Sequence, residues 1–333
     1  MIIWTGQKNC YDSSGRIIPC EGSGQDGEYR IGVWIEPRFK VSDGLVLDVL
    51  TGLYWPQEAN LLGLPLNWEE ALEQVRKWNK ERLLGFTDWR LPNRRELRSL
   101  LFLENKNPVL PKGHPFKGVF HGWYWTSTSA AINPGYAWNI HFGGGRMFYS
   151  RKDEERLLWP VRGKNQKLFV TGQKQCFDSS GQAILCDGSG QDGAYQAGRP
   201  WPKPRFQAES DAVVKDLLTG LHWTRCADLA PGLVSWEEAF QIIEKMNGKN
   251  WGGFSDWRLP GINELESLVD CSQHSPALPP DHTFGEVQEF YWSSTTSFYE
   301  PAWSWALYLA KGATGVGLKK GRHFYLWACR GRP

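Results

Sequence analysis

No run of apolar residues in this 333-residue chain approaches the ~18 needed to cross a bilayer, so membrane insertion is excluded and a soluble globular protein is expected. There is no Walker loop, no Ser/His/Asp signature and no H-E-x-x-H helix, which removes the motif-bearing NTPases, hydrolases and zinc proteases. Neither a C-x-x-C pair nor a histidine cluster argues for zinc. The triplet Gly143–Gly145 lacks the preceding strand, following helix and downstream acid of a dinucleotide loop, and is read as a hairpin turn. Net charge is only +2, too small to argue for nucleic acid. Acidic residues are absent after Glu300, where Lys311, Lys319, Lys320, Arg322, Arg330 and Arg332 would attract an anionic partner if they shared a face. No signal peptide is visible, since MIIWTGQ runs straight into the first repeat, and a mature or trimmed form is expected.

What is abundant is self-similarity. TGQKNCYDSSGRIIPCEGSGQDG (Thr5 to Gly27) returns as TGQKQCFDSSGQAILCDGSGQDG (Thr171 to Gly193), and TGLYW (Thr51 to Trp55) as TGLHW (Thr219 to Trp223). DWRLPN (from Asp88), YWTST (from Tyr124) and WPVRG (from Trp159) return as DWRLPG (from Asp256), YWSST (from Tyr291) and WACRG (from Trp327). The chain is a tandem duplication, and four segments are expected: a leader over 1–44, a domain over 45–165, a second leader over 166–212 and a second domain over 213–333.

Within each copy the patterning changes in a fixed order. The leader reads as a short hairpin with DSSG at its tip. A strand ending in TGLYW or TGLHW leads to an amphipathic helix. Asn67 opens that helix in copy 1, with Trp68, Ala71, Leu72 and Val75 on one face; in copy 2 Ser235 and Glu238 form a capping box before Trp236, Ala239, Phe240 and Ile243. After DWRLP a second helix begins, with Asn93 and Glu96 as its box and Leu97, Leu100 and Leu101 facing inward. The remainder alternates apolar and polar residues between glycines, as antiparallel strands do. The fold class expected is α+β: two helices with an antiparallel sheet in each domain.

Seven cysteines sort by the repeat. Cys10 and Cys20 match Cys176 and Cys186, and each pair flanks a turn, so two local disulfides are expected. Such bridges point outside the cytoplasm, to a secreted, periplasmic or cell-surface protein. Cys226, Cys271 and Cys329 have no cysteine counterpart. Buried thiols are the plain reading of Cys271 and Cys329, with a Cys226–Cys271 bridge left open.

Nineteen tryptophans invite a sugar-stacking interpretation, since an indole presents a flat apolar face and an N–H donor. Most have an aromatic or apolar counterpart in the other copy and are therefore assigned to the core. Trp303, opposite Tyr136, is the exception, because both lie inside a stretch that differs between copies. The ligand-binding candidates are Tyr136, Asn139, His141 and Arg146 in copy 1, and Trp303, Tyr308 and Lys311 in copy 2. Asp88, Arg90 and Glu96, with Asp256, Arg258 and Glu264, could form an acid/base site but fit better as a buried, mutually satisfied structural network. No cofactor is expected. Calcium is left open by Asp26 and Asp192, although the sugar-binding calcium motifs of classical C-type lectins are absent.

TGLYW, the WEEAL helix, DWRLPN followed by REL, YWTST and WPVRG, in this order, resemble the Lcl C-terminal domain family, named after a collagen-like bacterial adhesin. The resemblance covers roughly residues 45–163 and 213–331. It implies a compact domain related to the C-type lectin fold, outside the cytoplasm, and in the named member adhesion to sulfated polysaccharides. The functional expectation is a non-enzymatic, adhesin-like surface protein. Its partner would be a glycan, anionic polysaccharides included, or alternatively a surface protein in a structural assembly. A remote third reading, a formylglycine-generating-like enzyme, needs a reactive cysteine pair for which only Cys329 and Cys271 are available.

Overall fold

A computed structural model describes residues 1–333. In chain order the first leader holds β1 (Cys10–Tyr11), β2 (Ile17–Ile18) and the single helical turn α1 (Asp26–Tyr29); the first domain follows with β3 (Phe39–Ser42), β4 (Leu45–Asp48), β5 (Leu53–Pro56), α2 (Trp68–Lys80), α3 (Arg94–Arg98), β6 (Trp123–Ser129), β7 (Tyr136–His141) and β8 (Met147–Arg151). The second leader repeats the first as β9 (Cys176–Phe177), β10 (Ala183–Ile184) and α4 (Asp192–Tyr195). The second domain holds β11 (Phe206–Ala208), β12 (Val213–Asp216), β13 (His222–Thr224), α5 (Trp236–Gly248), α6 (Ile262–Ser267), β14 (Phe290–Thr296), β15 (Trp303–Tyr308), β16 (Ala313–Leu318) and β17 (Cys329–Arg330). The class is α+β, with the strands of each body paired antiparallel, as the patterning predicts.

The chain divides into two bodies. One comprises residues 34–200 with 270–272; the other comprises residues 1–33 with 201–269 and 273–333. Each leader is therefore folded together with the domain of the other repeat.

In the body built on residues 34–200, α2 starts where the sequence places it. Asn67 accepts from the Glu70 amide and Glu70 reaches back to the Asn67 amide, so two of the otherwise orphaned N–H groups of the first turn are satisfied. The face carrying Trp68, Ala71, Leu72, Val75 and Trp78 is buried against Trp89, Leu91, Trp125 and Leu158. Asn79, at the end of α2, holds the DWRLP segment: its side chain donates to the Trp89 carbonyl and accepts from the Trp89 amide, both at 2.8 Å. Asn247 does the same for Trp257 in the other body.

Most tryptophans lie in the core, although the matched pair Trp34/Trp201 is only half-buried. The matched pairs Trp55/Trp223, Trp68/Trp236, Trp89/Trp257, Trp125/Trp292, Trp138/Trp305 and Trp159/Trp327 are all fully buried. Most also find a backbone carbonyl for the indole N–H, as Trp68 does with Thr126 (2.7 Å) and Trp236 with Ser293 (2.8 Å). A buried indole thus adds specificity as well as apolar area, because a misplaced ring would strand its donor.

Cys10–Cys20 and Cys176–Cys186 are bonded, each with a Cα separation of 5.2 Å, while Cys226, Cys271 and Cys329 remain thiols. The bridge left open between Cys226 and Cys271 is not formed. Within itself each leader has only a two-residue β-pair and one helical turn. Removing Cys10–Cys20 as a serine pair is expected to cost about 2–4 kcal/mol, measured by urea unfolding of the oxidised wild type against the variant.

Candidate functional site

The two helix-proximal acid/base candidates resolve into separate ion pairs. Arg90 makes a two-pronged contact to Glu96 at 2.5 and 2.6 Å, and Arg258 to Glu264 at 2.6 Å on both prongs, all buried. Glu96 and Glu264 also accept from the amides of Asn93 and Gly261, which ties the ion pair to the helix start. Asp88 and Asp256 are not members of this network. They stand at the surface and pair instead with Arg162 (2.7 Å) and Arg330 (2.6 Å). A second buried pair per body, Arg38–Asp48 and Arg205–Asp216, has no forerunner in the sequence reading. Its only signal is Arg38 and Arg205 standing at matched positions of PRF, ten and eleven residues before the aspartates.

The stretch from Tyr124 to Tyr149 divides into two functional parts. Its first part, Thr126 to Ser129, is a run of buried hydroxyl residues, as is Ser293 to Thr296. Both runs coincide with a break in the strand register, between Trp125 and Ser129 in β6 and between Trp292 and Thr296 in β14. An irregular strand leaves backbone groups without ladder partners. Here a leader glutamine supplies them. Gln7 donates to the Thr296 carbonyl (2.9 Å) and accepts from the Thr296 amide (2.8 Å), and Gln173 treats Ser129 in the same way at 2.9 Å for both bonds.

Asp26 and Asp192, left open as calcium ligands, are the centres of these seats. Asp26 accepts from Thr5 (2.8 Å) and Thr295 (2.6 Å); Asp192 accepts from Thr171 and Thr128, both at 2.7 Å. Burial pushes each carboxyl up to about 6, against the opposing pull of the threonine hydroxyls. The third anchor is a buried lysine. Lys319 lies 4.0 Å over the Trp236 ring and donates to the carbonyls of Tyr11 (3.3 Å) and Asp12 (3.2 Å). Lys152 repeats this over Trp68, donating to Phe177 and Asp178.

The raised carboxyls give a pH dependence with a definite sign. A folded carboxyl that holds its proton up to about 6 binds protons more tightly than the same group unfolded, near 3.8. Stability therefore rises as pH falls through 6 and levels off near the unfolded value; above 6 the full penalty stands, on the order of 2–3 kcal/mol per group. Asp26→Asn, whose amide oxygen can still accept from both threonines, is expected to be at least as stable as wild type at pH 7. Its advantage should shrink by pH 4.5, as read from urea midpoints of both proteins at the two pH values.

The second part of the stretch carries the ligand candidates, and the structure does not gather them all. Asn139 is buried, with its side-chain amide turned to the Ala137 carbonyl at 3.5 Å, so it cannot meet a ligand. His141 accepts from the amides of Gly143 (3.2 Å) and Gly144 (3.3 Å), which makes it the post of the glycine hairpin. Burial and the nearby Arg146 hold its imidazole below the ordinary value, so it is neutral at pH 7. Arg146 is exposed, 6.0 Å from the Trp123 ring against which His141 also packs. Tyr136 lies at the opposite end of β7 and packs on Tyr149.

In copy 2 the candidates Trp303 and Tyr308 do converge. Both line a groove of about 400 Å³ with Phe290, Val316, Leu318, His323 and Phe324. Lys311 is not among the lining residues. Two glycines make room: a Cβ on Gly317 would lie 2.1 Å from the Phe324 ring, and one on Gly315 would lie 2.8 Å from the Tyr308 ring. In copy 1 the positions of Gly317 and Phe324 are held by Ser150 and Arg156, and Arg156 donates to the Ser150 hydroxyl at 2.8 Å. The exchange is concerted, a serine–arginine pair in one copy and a glycine–phenylalanine pair in the other. Phe324 packs on Trp292 at 4.4 Å, where Arg156 lies over Trp125.

The basic segment after Glu300 does not form one cationic face. Lys319 is buried in the leader seat, Arg322 pairs with Glu238 and Arg330 with Asp256. Cys271 and Cys329 are buried, and burial raises the Cys329 thiol well above its ordinary value, the reverse of what a nucleophilic cysteine requires.

A duplicated α+β scaffold with tryptophan cores, disulfide-closed leaders and an aromatic groove in the second domain defines a surface or interaction module. The Lcl C-terminal domain family matches residues 44–162 and 212–330, most of the chain, and the protein belongs to that family. Among curated proteins none matches it. No helix is long and apolar enough to cross a membrane, and the two disulfides fit an oxidising setting outside the cytoplasm.

Proposed function

We propose that the protein is a non-enzymatic binding module of the bacterial exterior, related in fold to C-type lectins, whose second domain seats an apolar segment of a surface protein. The observation that carries this is the groove of Trp303, Tyr308, Phe290 and Phe324, which has no lysine, arginine or carboxylate in its lining. A sulfated or uronic polysaccharide requires cations at its contact surface, and the basic residues of this copy are largely engaged elsewhere. Aromatic anchors in an apolar cleft suit a buried side chain of a protein partner.

The half-buried Trp303 favours one alternative, an uncharged sugar ring stacked on the indole. A display library of random peptides panned on the full chain distinguishes them. The protein reading expects selected peptides rich in apolar residues that are lost with Trp303→Ser. Binding to neutral glycans on an array, abolished by the same variant and without any selected peptide, would replace it with the sugar reading.

A further inference from the structure

The leader seats carry an inference independent of the groove. Residues 34–200 form one body in simple chain order, domain first and leader after it, whereas the second domain receives its leader from residues 1–33. The anchors are the same in both bodies: a glutamine bridging the irregular strand, an aspartate shared between two threonines, and a lysine capping leader carbonyls from above a tryptophan.

We propose that this seat is a receptor for leader segments in general, and that its partner in trans is a second copy of this chain, whose residues 1–33 dock on domain 2 of the first. The contacts on both sides of the seat repeat between the copies, so they do not distinguish a molecule's own leader from that of a neighbour. Only effective concentration does so. A closed single chain is favoured when dilute, and exchange is favoured when chains are crowded. Reciprocal exchange closes as a dimer; one-way exchange, in which each molecule lends its leader to the next, gives an open head-to-tail chain.

The leader depends on the seat for order. Gln7 and Asp26 are buried polar groups whose partners Thr295 and Thr296 lie on β14, and outside the seat they would return to water. Asn263 adds a bond to the Ile3 carbonyl at 2.8 Å, near the start of the leader.

Two measurements on the full chain decide the matter. In the first, wild type is unfolded in urea with its disulfides intact and refolded over roughly a hundredfold range of chain concentration, and masses are read by light scattering. Dimers and higher multiples whose share grows with concentration are expected; monomer at every concentration overturns the proposal. In the second, a full chain with Gln7→Ala and Asp26→Lys, whose own leader cannot seat, is mixed with wild type carrying a donor dye while the variant carries an acceptor. Energy transfer that grows during joint refolding is expected, and it should vanish when Thr295→Ala and Lys319→Ala are added to the variant. Equal transfer with and without those two changes assigns the association to another surface and overturns the seat as its cause. If the variant does not refold, the concentration series on wild type still decides.

Discussion

Glu264→Ala is expected to destabilise the protein by about 3–5 kcal/mol, among the largest effects of any single substitution in it. The argument rests on what is left behind. Arg258 is buried, both of its terminal nitrogens are committed to Glu264 at 2.6 Å, and beyond that pair it donates to the Gly331 carbonyl at 2.9 Å and lies 5.8 Å from the Tyr29 ring. Alanine at 264 strands a guanidinium that stays protonated at any accessible pH. It also removes the acceptor for the Gly261 amide at the start of α6. An apolar replacement of both partners, Arg258→Met with Glu264→Leu, is expected to recover a large share of the loss, because the desolvated charge disappears with its counter-charge. Urea unfolding of wild type, single and double variants forms a cycle that checks both statements; a single variant within about 1 kcal/mol of wild type would contradict them.

Trp236→Ala is the second large effect, about 3–5 kcal/mol, and it acts on two structures at once. The ring is the central knob of the core that α5 makes with Trp257, Leu259 and Trp292. It is also the platform beneath Lys319, which desolvation already lowers to about 7 and which caps the leader. Without the indole the lysine loses the nearer of its two ring contacts, keeping only the Tyr11 ring at 5.7 Å, and its clamp on the Tyr11 and Asp12 carbonyls is weakened. Limited proteolysis separates the two consequences: cleavage within residues 1–33 should accelerate more than cleavage within residues 34–200, whose leader keeps its own tryptophan, Trp68. Equal acceleration would show that Trp236 serves the core alone.

Much of the architecture is legible in the sequence because it rests on local rules. Helix starts at Asn67, Asn93 and Ser235 follow from side chains three residues apart, and the leader disulfides follow from paired spacing around a turn. Most tryptophans are legible as core from the comparison of copies, since a residue that must fill the same space twice recurs; Trp34 and Trp201 recur yet stay half-buried. What it does not reveal is which copy of the leader meets which domain. Both leaders carry the same anchors, so the sequence contains no preference to read, and only the path of the chain decides. Asn139 shows the opposite failure. It differs from Ala306 in the other copy and so looks like a contact residue, yet it lies in the interior of β7 with its amide satisfied locally. Variation marks a difference in packing as readily as a difference in ligand. The groove residues Trp303 and Tyr308 are legible because they are aromatic and variable; Phe324 does not stand out among the many aromatics, although its counterpart Arg156 is a change of chemistry at a matched position.

The arrangement of the leaders also has a mechanical consequence. Residues 1–33 and residues 273–333 belong to the same body. A pull exerted between Thr5 and Trp327 is borne within that body by Gln7, Asp26 and Lys319 against their partners. These few buried polar contacts act as a latch, and a protein tethered through both regions would yield there first.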